Sequence, residues 1–99
     1  MKASEKRISE EANFIEIPID GTLDLHHFQP KEISDLVAEY LLACRRKGIF
    51  LIRLIHGKGM GTLRETVHAC LRKIPEVESF RLADETGGGW GATLVQLKK

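Results

Sequence analysis

Residues 49–55, IFLIRLI, carry a single charge in an otherwise apolar run, and a helical pattern lies on each side of it. A run this short and this apolar is a strand buried on both faces or set in the middle of a sheet. Upstream, Pro30 suits a first helical turn. Ile33, Leu36, Val37, Tyr40, Leu41 and Cys44 then recur at helical spacing until Arg45, Arg46, Lys47 and Gly48 close the pattern. Downstream, Thr62 and Glu65 have the spacing of a T-x-x-E capping box, and Leu63, Val67, Cys70, Leu71 and Ile74 mark a second amphipathic helix that ends before Pro75. A central strand between two one-faced helices commits the chain to an α/β arrangement.

The remaining strands follow from alternation. In TLDLH, residues 22–26, Leu23 and Leu25 point to one face while Asp24 and His26 point together to the other. VESFRLADE and GATLVQL supply two more strands around a glycine-rich connection. The order strand, helix, strand, helix, strand, strand gives a two-layer βαβαββ domain with a four-stranded mixed sheet and two helices. Right-handed crossovers make its first three strands parallel, and a sheet that builds outward in one direction has both helices on one face.

Residues 22–99 hold this domain. Residues 1–13, charged and without apolar period, read as a flexible lead, and residues 14–21 as an extended arm in which Pro18 removes a ladder donor before the Asp20–Gly21 turn. Ninety-nine residues at 42% hydrophobic composition suit one modest core, so a site has to be shallow and built at an edge. A formal charge of +1 excludes a strongly basic nucleic-acid arm but not a local basic face. Cys44 and Cys70 lie inside helical patterns without metal-ligand spacing and read as reduced core thiols. No apolar run approaches the roughly eighteen residues of a membrane span, and the first residues lack the apolar core of a secretory signal. The expectation is a cytoplasmic protein with no membrane partner, acting as a monomer.

Three unusual segments converge on the carboxyl rim of this sheet, where open α/β sheets tend to bind ligands. The first is Asp24 with His26, at the end of the first strand. A carboxylate two positions before a histidine on a strand can fix the orientation of the ring, an arrangement that is by itself more often structural than catalytic, but its place at the same rim as His56 favours the catalytic reading. The second is HGKGMG, residues 56–61. It matches neither the P-loop nor the dinucleotide fingerprint, and by itself reads equally as a tight strand-to-helix turn or as an anion cradle. His56, able to exchange protons near neutral pH, and Lys58, able to hold an anionic oxygen, tip it toward the cradle. Arg64 lies one position further into the helix pattern than Leu63 and adds charge there. The third is GGGWGAT, residues 87–93. Trp90 at its tip either stacks a base or folds back on the protein, and Thr93 either donates to a phosphate or ends the hairpin. His68, beside the apolar stripe of the second helix, reads as solvated. Asp24, His26 and His56 could in principle ligate a metal, but no helical HExxH and no cysteine cluster supports one, so neither metal nor cofactor is assigned and a divalent-ion requirement stays open.

Taken together, LDLHH (23–27), HGKGMGTL (56–63) and GGGWGATLVQL (87–97) resemble the motif set of the Smr (small MutS-related) domain: an LDLHG strand, an HGxG corner before a helix, and a GGxGxT lead into the last strand. The resemblance spans about residues 22–97, and three separate motifs in order make it specific. His27 stands where that family usually has glycine, which narrows the rim or adds a titrating group. The resemblance implies a fold similar to the C-terminal domain of bacterial translation initiation factor three, and a nucleic-acid endonuclease cleaving phosphodiester bonds in DNA or RNA. The alternative is a non-catalytic module that binds nucleic acid or the ribosome. It carries over Asp24, His26 and His56 as catalytic residues, with Gly57 and Gly59 beside them and Gly88, Gly89, Gly91 and Thr93 as a further wall. Lys58, Gly61, Arg64 and Trp90 complete the expected nucleic-acid or phosphate site by position and chemistry.

Overall fold

Helix α1 (Pro30–Arg46) buries Ile33, Leu36, Val37, Tyr40, Leu41 and Cys44, the same six positions that the helical period marks. In this computed structural model, which describes residues 17–57, 61–83 and 91–99, the helix ends in a Schellman turn. Gly48 adopts a φ of 81°, its N–H bonds Arg45 O at 3.0 Å, and the Ile49 N–H reaches back to Cys44 O at 2.9 Å. The turn reverses the chain directly into strand β2 (Leu51–Ile55).

Strand β1 (Thr22–Asp24) lies parallel to β2, while β4 (Ala92–Leu97) lies antiparallel to both β2 and β3 (Val77–Leu82), giving the order β1-β2-β4-β3. The first three strands therefore do run the same way, but β4 is inserted between β2 and β3, and the crossover through helix α2 (Thr62–Arg72) steps over it. Paired residues share a face. Leu23, Ile52, Leu54, Val95 and Leu97 point into one core with both helices. The opposite face stays open, so β2 lies mid-sheet yet is covered on one side only: Leu51 is 62% exposed.

Two local expectations are corrected. Strand β1 ends at Asp24, and His26 sits in the turn that follows, closed by Phe28 N–H on Leu25 O at 2.9 Å. The capping box does not form. Thr62 is already helical, and the N-cap is Gly61 at a φ of 87° with no side-chain capping bond. A left-handed N-cap needs glycine more than it needs a hydroxyl. Cys44 and Cys70 are free and buried. The chain enters the core through Ile17 and Ile19, which pack against it. Fully buried Tyr40 clasps the next turn, its hydroxyl accepting from Gly21 N–H at 3.0 Å and donating to Thr22 O at 3.1 Å. Burial pushes the Tyr40 pKa well above the ordinary tyrosine value. The lead and the start of the arm, residues 1–16, lie outside the described residues.

Candidate active site

β4 runs antiparallel to β2, so its first residues meet the carboxyl ends of β1 and β2, and three chain segments come together at this edge. Gly91 ties two of them: its carbonyl accepts from both His56 N–H at 2.9 Å and Gly57 N–H at 2.8 Å. Leu25 N–H bonds Ile55 O at 2.7 Å and ties in the third. Gly57 turns with a φ of 83°, and a Cβ there would lie 3.9 Å from the Cβ of His26. The turns after β1 and β2 thus stand side by side.

Asp24 and His26 form the outer part of this corner. One carboxylate oxygen, Oδ1, accepts from the His26 backbone N–H at 3.1 Å and from the ring nitrogen Nδ1. Partial burial alone would raise the Asp24 carboxyl. The two hydrogen bonds from His26 and the nearby imidazoles of His26 and His27 outweigh that and hold it below the ordinary aspartate range. With Nδ1–H committed to Asp24, Nε2 is the nitrogen His26 presents to anything that approaches. The ring is about half exposed, at 49%, and lies against His27 with centroids 3.9 Å apart.

His56 lies beneath, on the helix-covered face in register with Leu54, and is only 4% exposed. Its Nε2 is 2.8 Å from Thr93 Oγ1 and its Nδ1 is 3.1 Å from Gly57 O. Thr93 is fully buried, and its hydroxyl also meets His68 Nε2 at 2.8 Å. Burial lowers the His56 pKa; the Gly57 carbonyl opposes this and the Arg64 charge adds to it. Burial likewise lowers His68, joined by His56, Arg72 and Arg64 and opposed by Glu65.

His68 is the residue that sequence reasoning missed. Instead of being solvated, it is partly buried, with its ring 4.9 Å from that of Phe80 and its Nε2 on Thr93. Gly61 and Arg64 stand at the start of α2. The guanidinium folds back over the helix end, so that a Cβ on Gly61 would meet Arg64 Nη2 at 2.8 Å, and Nη2 lies 3.8 Å from Glu65 Oε2. Of the other expected site residues, Lys58, Gly59, Gly88, Gly89 and Trp90 lie outside the described residues. Among the described residues no group of three or more histidine, cysteine or acidic side chains is placed to hold a metal ion, and no helix is long and apolar enough to cross a membrane.

The family model of the Smr domain matches residues 23–98, nearly the whole of the described fold. The chain belongs to the Smr domain family. Among similar sequences, endonuclease MutS2 of Thermomicrobium roseum is 39% identical over 80 residues and that of Halothermothrix orenii 36% over 80, each alignment covering 81% of this chain and 10% of the relative. The chain thus spans about a tenth of the length of these relatives. Among solved structures, the Smr domain of Thermus thermophilus MutS2 superposes with a TM-score of 0.76 at 36% identity, covering 81% of this chain and all of that one. YdaL, a stand-alone small MutS-related protein from Escherichia coli, gives 0.70 at 25% identity over 83% of this chain and 67% of its own. The Smr fold is therefore present here, and the described residues of the three segments, Leu25 and His26, His56 and Gly57, and Gly91, meet at one edge.

Proposed function

We propose that this Smr domain is a nucleic-acid endonuclease that cleaves phosphodiester bonds at the corner formed by Asp24, His26 and Gly57. The observation that carries the proposal is the Asp24–His26 pair: a half-exposed imidazole whose Nδ1 is engaged by a carboxylate, which leaves Nε2 for an incoming group, beside a positive-φ glycine that keeps side-chain bulk away. In this reading Asp24 orients the ring and His26 moves the proton. On RNA, His26 Nε2 takes the 2′-hydroxyl proton, the oxygen attacks phosphorus, the bond to the 5′-oxygen breaks, and that oxygen takes up a proton. The product is a 2′,3′-cyclic phosphate. Arg64, and Lys58 with it, would neutralise the charge that develops on the phosphate oxygens. The relatives named as endonucleases support the reaction class. The same reading has the domain act as a cytoplasmic monomer on DNA or RNA, ribosome-bound RNA included.

The test is incubation of the purified protein with labelled single-stranded RNA, duplex DNA and branched DNA, with and without chelator, beside His26→Ala. Cleavage that the substitution abolishes supports the enzyme. Cyclic-phosphate ends support 2′-hydroxyl attack, whereas 5′-phosphate ends made only with added metal refute it. One observation favours a second reading, a non-catalytic nucleic-acid or ribosome-binding module: His56, the obvious partner for an acid–base pair, is buried with both ring nitrogens engaged inside the protein. Binding without cleavage of any of the three substrates would select that module.

A further inference from the structure

We propose that His68 is a positioning residue, which acts through the Thr93 hydroxyl to fix the ring of His56 and so holds the Gly57 corner against which His26 stands. The inference rests on the reading of that corner as the reacting edge. It begins from an acceptor. The Gly57 carbonyl can only accept, so the His56 nitrogen facing it, Nδ1 at 3.1 Å, must carry the proton. Neutral His56 then has a bare Nε2, and the Thr93 hydroxyl 2.8 Å away has to donate to it. A hydroxyl has one proton to give. Once it is spent on His56, His68 Nε2, also 2.8 Å from Oγ1, has to be the donor to Thr93.

The result is a one-way chain from α2 through β4 to β2: His68 Nε2–H to Thr93 Oγ1–H to His56 Nε2, and His56 Nδ1–H to Gly57 O. Each link fixes the direction of the next. The chain holds His56 in the Nδ1–H form, which is the minor tautomer of a free imidazole in water. Both histidine pKa values are lowered, so the neutral forms that the chain requires are the ones favoured around neutral pH. Without the donor on α2, the Thr93 hydroxyl is free to turn. His56 is then free to take the ordinary Nε2–H form and donate to Oγ1, and the bond to Gly57 is lost. His68 is itself held at a fixed height by Phe80, 4.9 Å away between ring centres. A ring contact alone would account for a partly buried histidine but not for its Nε2 on a hydroxyl that another imidazole already uses.

Long-range proton–nitrogen spectra of the full chain read the tautomer of His56 directly, and kinetics on whichever of single-stranded RNA, duplex DNA and branched DNA is cleaved read its consequence. Four proteins decide the question: wild type, His68→Gln, which keeps an N–H donor, His68→Phe, which keeps the ring against Phe80 but donates nothing, and Thr93→Val. Wild type and His68→Gln should show His56 protonated on Nδ1. His68→Phe should move a measurable share to Nε2–H, whereas Thr93→Val, which leaves no oxygen for Nε2–H to donate to, should keep His56 protonated on Nδ1. His68→Phe should lose about tenfold in kcat with KM within about twofold, while His68→Gln recovers most of it. Because residue 68 is only partly buried, His68→Phe should fold even if Thr93→Val does not. An unchanged His56 tautomer in His68→Phe, or a wild-type His56 already protonated on Nε2, would overturn the proposal. If the wild-type protein cleaves nothing, the spectra still decide the positioning claim and only the reading of the edge as catalytic falls.

Discussion

The outer and inner halves of the corner use the same residue type for opposite ends. Asp24, the last residue of β1, and His26, in the turn that follows, stand about half exposed, and the ring keeps one nitrogen for an incoming group. His56, one position after the end of β2, is buried, and Thr93 and Gly57 take both of its nitrogens. In sequence the two histidines look equivalent, each following an apolar strand at the same rim. The sheet separates them by parity: Asp24 is in register with Ile55 on the open face, whereas His56 continues the Leu54 series toward the helices. An imidazole with a spare nitrogen can move protons during a reaction. One with none holds a backbone in place.

The largest expected effect tests this division. His26→Ala should reduce cleavage by about 10²- to 10⁴-fold, the range for losing a general acid–base group, and leave the melting temperature nearly unchanged, since an exposed ring contributes little to packing. Asp24→Asn should act in the same direction with a smaller loss. His56→Ala should also lose activity, but by a different route: it opens space under the corner and strands the Thr93 hydroxyl, at a cost of about 2–4 kcal/mol in a denaturant titration. If His56→Ala were as stable as wild type while inactive, the inner histidine would belong with the outer one, and the contrast would fail.

Acid titration separates the halves next. His56 and His68 are both lowered from the ordinary histidine value of 6.5. Below about 6.5 the unfolded chain takes up protons that the folded chain resists, so their contribution to stability is complete above that value and falls as pH drops toward the folded values. Asp24, lowered from 3.8, adds stability that is present above that value and lost only in stronger acid. Melting temperature against pH should therefore decline in two stages. His68→Phe should flatten the first, and Asp24→Asn the second. A curve level from pH 7 to 4 would contradict the inner pair.

Most of the helical framework was legible because a helix writes its buried face as a period. All six positions expected of α1 are buried, and Val67, Cys70 and Leu71 of α2 are as well. What failed depends on pairing between distant strands. No local pattern says that β4 slots between β2 and β3, and that slot is what places Thr93 opposite Leu54 and beneath both inner histidines. His68 was misread for the same reason: it flanks the apolar stripe, where a polar residue is usually solvated, and only the height of Thr93 turns it inward. The capping box failed locally, because T-x-x-E spacing carries no information about the backbone angle that Gly61 supplies. The three motif segments were legible, since glycine and histidine at strand ends are rare enough to stand out, but which histidine faces solvent was not.

The smallest effects distinguish the two glycines that frame the corner. Gly57 and Gly61 both have positive φ, 83° and 87°, so alanine at either should cost about 1–2 kcal/mol in backbone strain. Their surroundings differ. A methyl on Gly57 meets His26 Cβ at 3.9 Å, an ordinary contact, whereas one on Gly61 meets Arg64 Nη2 at 2.8 Å and has to push it aside. The guanidinium is the free end of a long side chain, so moving it costs little stability but takes a cation away from the start of α2. Both variants should thus lose similar stability in denaturant titrations. Gly61→Ala should in addition weaken nucleic-acid binding by a few-fold and make its salt dependence shallower by about one phosphate contact, as Arg64→Ala should do without any loss of stability. Equal binding by the two glycine variants would mean that Arg64 lies outside the interface and that the corner meets its substrate through the Asp24–His26 side alone.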